Sequence, residues 1–288
     1  MNNRLQRLAK PYLMILPALF LAYLFCYRPF FRTVANSLFA ISRTGKKVGF
    51  VGLENYAKLF GSESFQASLS NTLRFTLYFV PSNILVTLSA ALLCNRKGRL
   101  ASLQSILFFI PMAIALSSAM MLFKMLFNPS IGVINSLLKL DIQWFNDPKA
   151  AMALLVMAGI WLDIGFDFLL FAAALRSVPQ PLSEAMLLDG ASKRTIFFHL
   201  QIPFLAPTLI FVLCNNIKDA MLICSPVIIL TEGGPFRSTQ TLVYQMFLEG
   251  FKSGNYSLGS ALATVIFTLT FAILLILLQF ERRRVYYQ

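Results

Sequence analysis

Two stretches set ionisable side chains inside otherwise apolar sequence. Asp163 and Asp167 stand four residues apart in WLDIGFDFLLF, and Asn215, Asn216, Lys218 and Asp219 crowd into CNNIKDAML. A spacing of four puts Asp163 with Asp167, and Asn215 with Asp219, on common helical faces. Paired carboxylates are the groups of acid–base catalysis, yet no nucleophile accompanies them. The single histidine is His199, and Cys26, Cys94, Cys214 and Cys224 form no CxxC pair, so neither an enzyme nor a metal site is expected. Charged groups at membrane depth are costly and usually face a bundle interior or a wet cavity. That leaves a translocation pathway lined by these groups, or a structural interhelical pair such as Lys218 with Asp167 or Asp163. A proton relay through Asp163, Asp167 or Asp219, as in a proton-coupled secondary transporter, is the remote alternative.

The elements that must hold these residues are membrane helices. The 288 residues are 57% hydrophobic and only 13% charged, against about 25% charged in soluble domains. The net charge of +13 is spread through short loops, which argues against nucleic-acid binding. Six apolar stretches are long enough to cross a bilayer: roughly 11–32, 73–94, 103–126, 150–174, 206–230 and 258–280. The first lacks a small-residue cleavage site and is expected to be a retained span. With the N-terminus inside, one side carries twelve basic residues against three acids and the other eight against six. The bias predicts an all-α integral membrane chain with both termini in the cytoplasm. No soluble-domain linker interrupts residues 1–288, which read as a single transmembrane domain, and no internal repeat suggests a secondary transporter of inverted halves. On the outer side, GLENYAKLF and SFQASLSNTL predict short interfacial helices, and 127–149 a structured turn.

RTGKK at 43–47 ends like a phosphate-binding loop but lacks the rest of one. Ala40 stands where a glycine is needed, and Lys47 where Ser or Thr should follow the first lysine. If ATP powers this protein, another chain binds it.

Between the fourth and fifth stretches, EAMLLDGASKRTIFFHLQIP turns polar. PLSEAMLLDG predicts a short helix entered at Pro181 and closed by Gly190. ASKRTIFFHLQI predicts a second helix, stopped before Pro203. The pair forms a knob on the cytoplasmic face (loop 176–203) that fits a protein partner; lying on lipid is the alternative.

These residues resemble the EAA loop of bacterial ABC importer permeases. The matching positions are Glu184, Ala185, Asp189, Gly190, Ala191, Phe197 and Pro203. GLENYAKLF, SNTL at 70–73, FNPSIGVIN at 127–135, LRSVPQPLSEA and LTEGGPFRSTQTL at 230–242 are similar to segments of the carbohydrate-type permeases, the maltose-type and glycerol-phosphate ones included. The resemblance covers nearly the whole chain. It implies a type I ABC importer permease fold with six helices in a bacterial inner membrane. It also implies a second homologous permease as heterodimer partner, two ATPase subunits that hold ATP and Mg, and an extracytoplasmic binding protein. Glu184, Ala185, Met186, Asp189, Gly190, Ala191 and Pro203 would couple to the ATPase by alternating access. Met186 departs from the EAA triplet, and Asp167 adds a charge that many relatives lack. A sugar suits Trp161, Asn215 and Asn216; a phosphate, as in glycerol-3-phosphate, suits Lys218. TLVYQMFLEGF and the VYYQ ending point weakly to the glycerol-phosphate branch. The acids Asp163, Asp167 and Asp219 favour the sugar.

Overall fold

The computed structural model describes residues 2–95, 99–139 and 141–284; Arg96, Lys97 and the VYYQ ending lie outside them. The chain runs α1 (Asn2–Ala22), α2 (Arg28–Asn36), β1 (Phe39–Ile41), β2 (Lys47–Phe50), α3 (Glu54–Phe60), α4 (Glu63–Cys94), α5 (Arg99–Ala113) and α6 (Leu116–Leu126). It continues through α7 (Val133–Leu138), α8 (Pro148–Ser177), α9 (Gln180–Leu188), α10 (Lys193–Ile196), α11 (Ile202–Met221), α12 (Leu242–Phe247) and α13 (Tyr256–Arg284).

Five helical segments among the described residues are long and apolar enough to cross a membrane: Tyr12–Asn36, Glu63–Cys94, Pro148–Ser177, Lys193–Met221 and Tyr256–Gln279. The expected third span is not one rod. Ile106–Ala113 and Leu116–Leu126 meet at 106°, with Ala115 extended between them. The fifth span also differs from its expected bounds of 206–230. It begins at Lys193 and ends at Met221, with the polar CNNIKD inside it.

Pro203 therefore does not stop the second knob helix. A π turn, Phe197–Gln201, precedes it, and the Ile202 amide reaches back to the Phe197 carbonyl. The wide turn carries the preceding carbonyls away from the proline ring, removing the clash that would end a regular helix. The same device stands in the first span, where the π turn Tyr23–Tyr27 precedes Pro29.

One compact unit comprises 1–62 with 246–267. Its surprise is a hairpin: β1 pairs antiparallel with β2, and RTGKK supplies the turn, with the Gly45 amide donating to the Ser42 carbonyl. Asn55 of α3 donates to the carbonyls of Ser37 and Phe39, and the Ile41 amide donates to Ser257 Oγ. GLENYAKLF is thus a short helix, as expected, tied to the hairpin by its asparagine.

The other unit comprises 63–245 with 268–288. SFQASLSNTL is not a separate interfacial helix but the first turns of α4, which carries on through Pro81 to Cys94. α4 and α8 run parallel, since Phe79 lies beside Gly159 and Asn83 beside Asp167. Phe168, Phe171 and Leu175 of α8 then pack with Ala90, Ala91 and Cys94 of α4 and with Ile196, Leu200 and Leu205.

The 127–149 turn is structured as expected. Asn128 Oδ1 accepts from the amides of Ser130 and Ile131, Asn135 donates to the Ile142 carbonyl, and Trp144 Nε1 donates to Asn135 Oδ1. Asp147 then caps α8 by accepting from the Lys149 amide, with Pro148 at the first helical position.

Gly132 closes this turn so tightly that a Cβ would lie 2.3 Å from the Asn128 carbonyl oxygen and 2.5 Å from that of Leu126. Backbone atoms cannot step aside as a side-chain tip can. Gly132→Ala is expected to lower the melting temperature of the detergent-purified protein by several degrees. Gly49→Ala, where a Cβ meets nothing within 4 Å, should leave it unchanged.

Candidate functional site

The polar residues inside the membrane helices separate into two groups. Asp167 is fully buried and accepts from Asn83 Nδ2 at 2.7 Å, which ties α8 to α4. Asn216 of α11, also fully buried, lies beside the same carboxylate. One turn earlier on α8, Asp163 instead lines a cavity of about 220 Å³ with Asp219, Cys224, Ser225, Phe75 and Phe79. Four-residue spacing does place Asp163 and Asp167 along one helix, but only Asp163 borders this open space.

Lys218 does not bridge to α8. It donates to Asn215 Oδ1 at 2.8 Å and lies 3.2 Å from Asp219, while Asn215 Nδ2 donates to Asp219 Oδ2 at 2.8 Å. The three side chains form a closed cluster on one helix, and the interhelical pair considered for Lys218 is replaced by this local one. Trp161 is apart from the carboxylates. It packs edge to face on Phe123 and lines an apolar cavity of about 380 Å³ with Phe108, Pro111 and Ile164.

Several participants were not anticipated. Asn83, the amide partner of Asp167, sits in FVPSNILV, a run notable only for having no charge. The one signal that could have marked it is an amide in mid-span. Phe75, Phe79 and Ser225 border the cavity because their helices bring them there, and nothing in their local sequence distinguishes them.

At one end of α4 the 231–241 segment forms a braced loop. Glu232, Phe236 and Arg237 all have positive φ, and Gly234–Pro235 is cis. Asn71 Nδ2 donates to the carbonyls of Arg237 and Gln240, Thr72 Oγ1 accepts from the Leu242 amide, and Gln240 Nε2 donates to Ser64 Oγ. SNTL and LTEGGPFRSTQTL, distant in sequence, are thus bonded to each other.

The knob lies at the other end of α4, beyond Ala90, about 30 Å from Thr72 at 1.5 Å per residue. α9 ends in a Schellman closure: the Ala191 amide donates to the Met186 carbonyl at 2.9 Å and the Gly190 amide to that of Leu187 at 3.1 Å. Gly190 has φ +82°, the left-handed conformation this closure needs. Ser192 Oγ caps the following helix by accepting from the Thr195 amide. Met186 and Ala191 pack inward against the bundle core, whereas Glu184, Ala185, Leu187, Leu188 and Asp189 are exposed. Pro203 is exposed just beyond the π turn.

The comparisons agree with this architecture. Residues 83–284 match the family described as binding-protein-dependent transport system inner membrane component. The chain is 34% identical, over 96% of both chains, to the sn-glycerol-3-phosphate transport system permease protein UgpA of Yersinia pestis bv. Antiqua. It is 33% identical, with the same coverage, to that of Salmonella typhi. A chain in the crystal structure of a bacterial alginate ABC transporter, in complex with alginate pentasaccharide-bound periplasmic protein, superposes with a TM-score of 0.85 at 21% identity. That superposition covers 97% of this chain and 98% of the other. The fold is thus that of a type I ABC importer permease, and the protein belongs to the family of inner-membrane permease components of binding-protein-dependent transport systems.

Proposed function

We propose that this permease carries a sugar delivered by an extracytoplasmic binding protein through the cavity between Asp163 and Asp219. The observation that carries the substrate class is the neutralised lysine. Lys218 is held by Asp219 and Asn215, and Asp163 leaves the lining with more carboxylates than cations. A phosphate dianion entering there would meet like charge, whereas a hydroxylated neutral ring would find acceptors and the Phe75 and Phe79 rings. Glycerol-3-phosphate is the second reading, favoured by the similarity to the UgpA permeases. Trp161, half-buried and packed edge to face on Phe123, enters the pathway only if the third span moves.

The pore is completed by a second homologous permease as heterodimer partner. Two ATPase subunits hold ATP and Mg, so hydrolysis takes place outside this chain, whose termini and knob face the cytoplasm. The exposed α9 face, Glu184 with Leu187 and Leu188, seats in a cleft on the ATPase. Met186, Ala191 and the Gly190 closure lock α9 to the bundle, so movement of the ATPase tilts the flanking helices. Asp167 and Asn83 act as an interhelical tie outside the pathway, with Asn216 buried beside them.

Three outcomes follow. Glu184→Lys should reduce ATPase recovery in a pull-down at least tenfold, with the permease still in the membrane; recovery at wild-type level rejects the docking face. Gly190→Val, forced to a φ near +80°, costs about 1–3 kcal/mol of local strain and should abolish uptake without loss of expression. In cells carrying the whole importer, labelled neutral sugars should accumulate and glycerol-3-phosphate should not. Accumulation of glycerol-3-phosphate alone would replace the sugar reading with the second one.

A further inference from the structure

Asp167 is fully buried, and among the described residues no lysine or arginine pairs with it. Lys218 is held by Asn215 and Asp219. The ionisable groups that act on Asp167 are Asp163, one turn away on its own helix, and Asp219 on α11. Both are acids, and like charges make a further ionised carboxylate costlier in an apolar bundle. From α4 the neighbour is the Asn83 amide, and from α5 the Phe108 and Phe109 rings pack on Phe168.

Hydrogen bonding around this carboxyl group does not balance. Asn83 Nδ2 donates to Asp167 Oδ2. Four buried polar atoms then have no partner: Asp167 Oδ1, Asn83 Oδ1, and both Oδ1 and Nδ2 of Asn216. Asn216, fully buried on α11, lies beside the carboxyl group. Three of the four atoms accept and one donates. A proton on Asp167 Oδ1 turns an acceptor into a donor, so three acceptors and one donor become two and two. It also removes the buried charge. A hard metal ion would remove the charge as well, but such ions take about six or more oxygens. The group offers three, and the Asn216 N–H would face the ion.

We propose that Asp167 is a proton-binding site: a proton taken from solvent sits on Oδ1, and the hydroxyl so formed donates to Asn216 Oδ1. The Asn83 bond ties α8 to α4 with or without the proton. The proton adds a tie from α8 to α11, the spans before and after the knob. Its effect on stability has a definite sign. The new bond exists only in the folded chain, and an unfolded aspartate is ionised in mildly acidic buffer. Stability is therefore greatest there and is lost as pH rises and the proton leaves.

The test uses the full-length chain in its native assembly, purified in detergent and titrated from mildly acidic to mildly alkaline buffer. In the infrared difference spectrum, wild type should show the carbonyl band of a protonated carboxylic acid, lost as pH rises. Asp167→Asn should lack this band and Asp163→Asn should keep it. Asn216→Leu removes the acceptor of the hydroxyl and should move the band to higher frequency. The melting temperature of wild type should fall by several degrees across the titration, and that of Asp167→Asn by clearly less. The proposal is overturned if residue 167 contributes only carboxylate bands throughout, or if Asn216→Leu leaves the band in place. A melting temperature that follows sodium concentration and not pH would assign the charge balance to a metal ion, and overturns it too. If Asp167→Asn does not assemble, the wild-type band and its shift in Asn216→Leu decide.

Discussion

A carboxylate with no exposure in the middle of an apolar bundle is the constraint on which the rest of the unit depends. Asp167 is costly there unless it is hydrogen-bonded, and Asn83 meets it at 2.7 Å. A bond to a carboxylate is short and directional, so it specifies how far α8 may slide along α4 as well as holding the two together. With that register set, Gly159 falls beside Phe79 and lets the helices approach closely. Asp163, one turn away, opens on the cavity. In the other direction Phe168, Phe171 and Leu175 reach the core that carries α9. A slip of one residue between α4 and α8 would misplace the cavity lining and the seat of the knob together.

Much of this was legible in local sequence, and the reason is physical. Apolar runs of membrane length report their solvent directly, so five spans could be read along with most of their limits. Gly190 announced its left-handed turn because few other residues adopt it cheaply. What escaped were features decided by groups far apart in sequence. Lys218 reads in sequence either as a pathway group or as the partner of an acid on α8; in the fold its partners are three residues back and one residue on, where no interhelical reach is needed. The hairpin at 39–50 is short and carries little alternation, so its pairing could not be read from either strand. Pro203 signals a helix stop by the usual rule, and only a wide turn before it cancels the rule. Asp167 and Asp163 look alike in sequence; burial alone separates them.

Met186 shows how a departure from a motif can be explained by structure. Beside Glu184 and Ala185 it reads as an oversized residue on a docking face. On the folded helix it points the other way, to the core against which Ala191 also packs. The triplet is thus two surfaces: two exposed residues outward and one anchor inward. The braced loop at the opposite end of α4 has a similar economy. Asn71 and Thr72 together satisfy three backbone groups of 237–242, which lets a loop with several left-handed residues hold one shape.

The 106° elbow between Ile106–Ala113 and Leu116–Leu126 has a mechanical meaning. A straight helix is stiff in torsion, so a twist at one end arrives at the other. Here the two arms share only a short extended joint at Ala115, and a rotation of the first arm about its own axis becomes a swing of the second. Leu116, the first residue past the joint, borders the carboxylate cavity. The third segment is therefore two short rods set at an angle rather than one, and the second of them begins at the cavity wall.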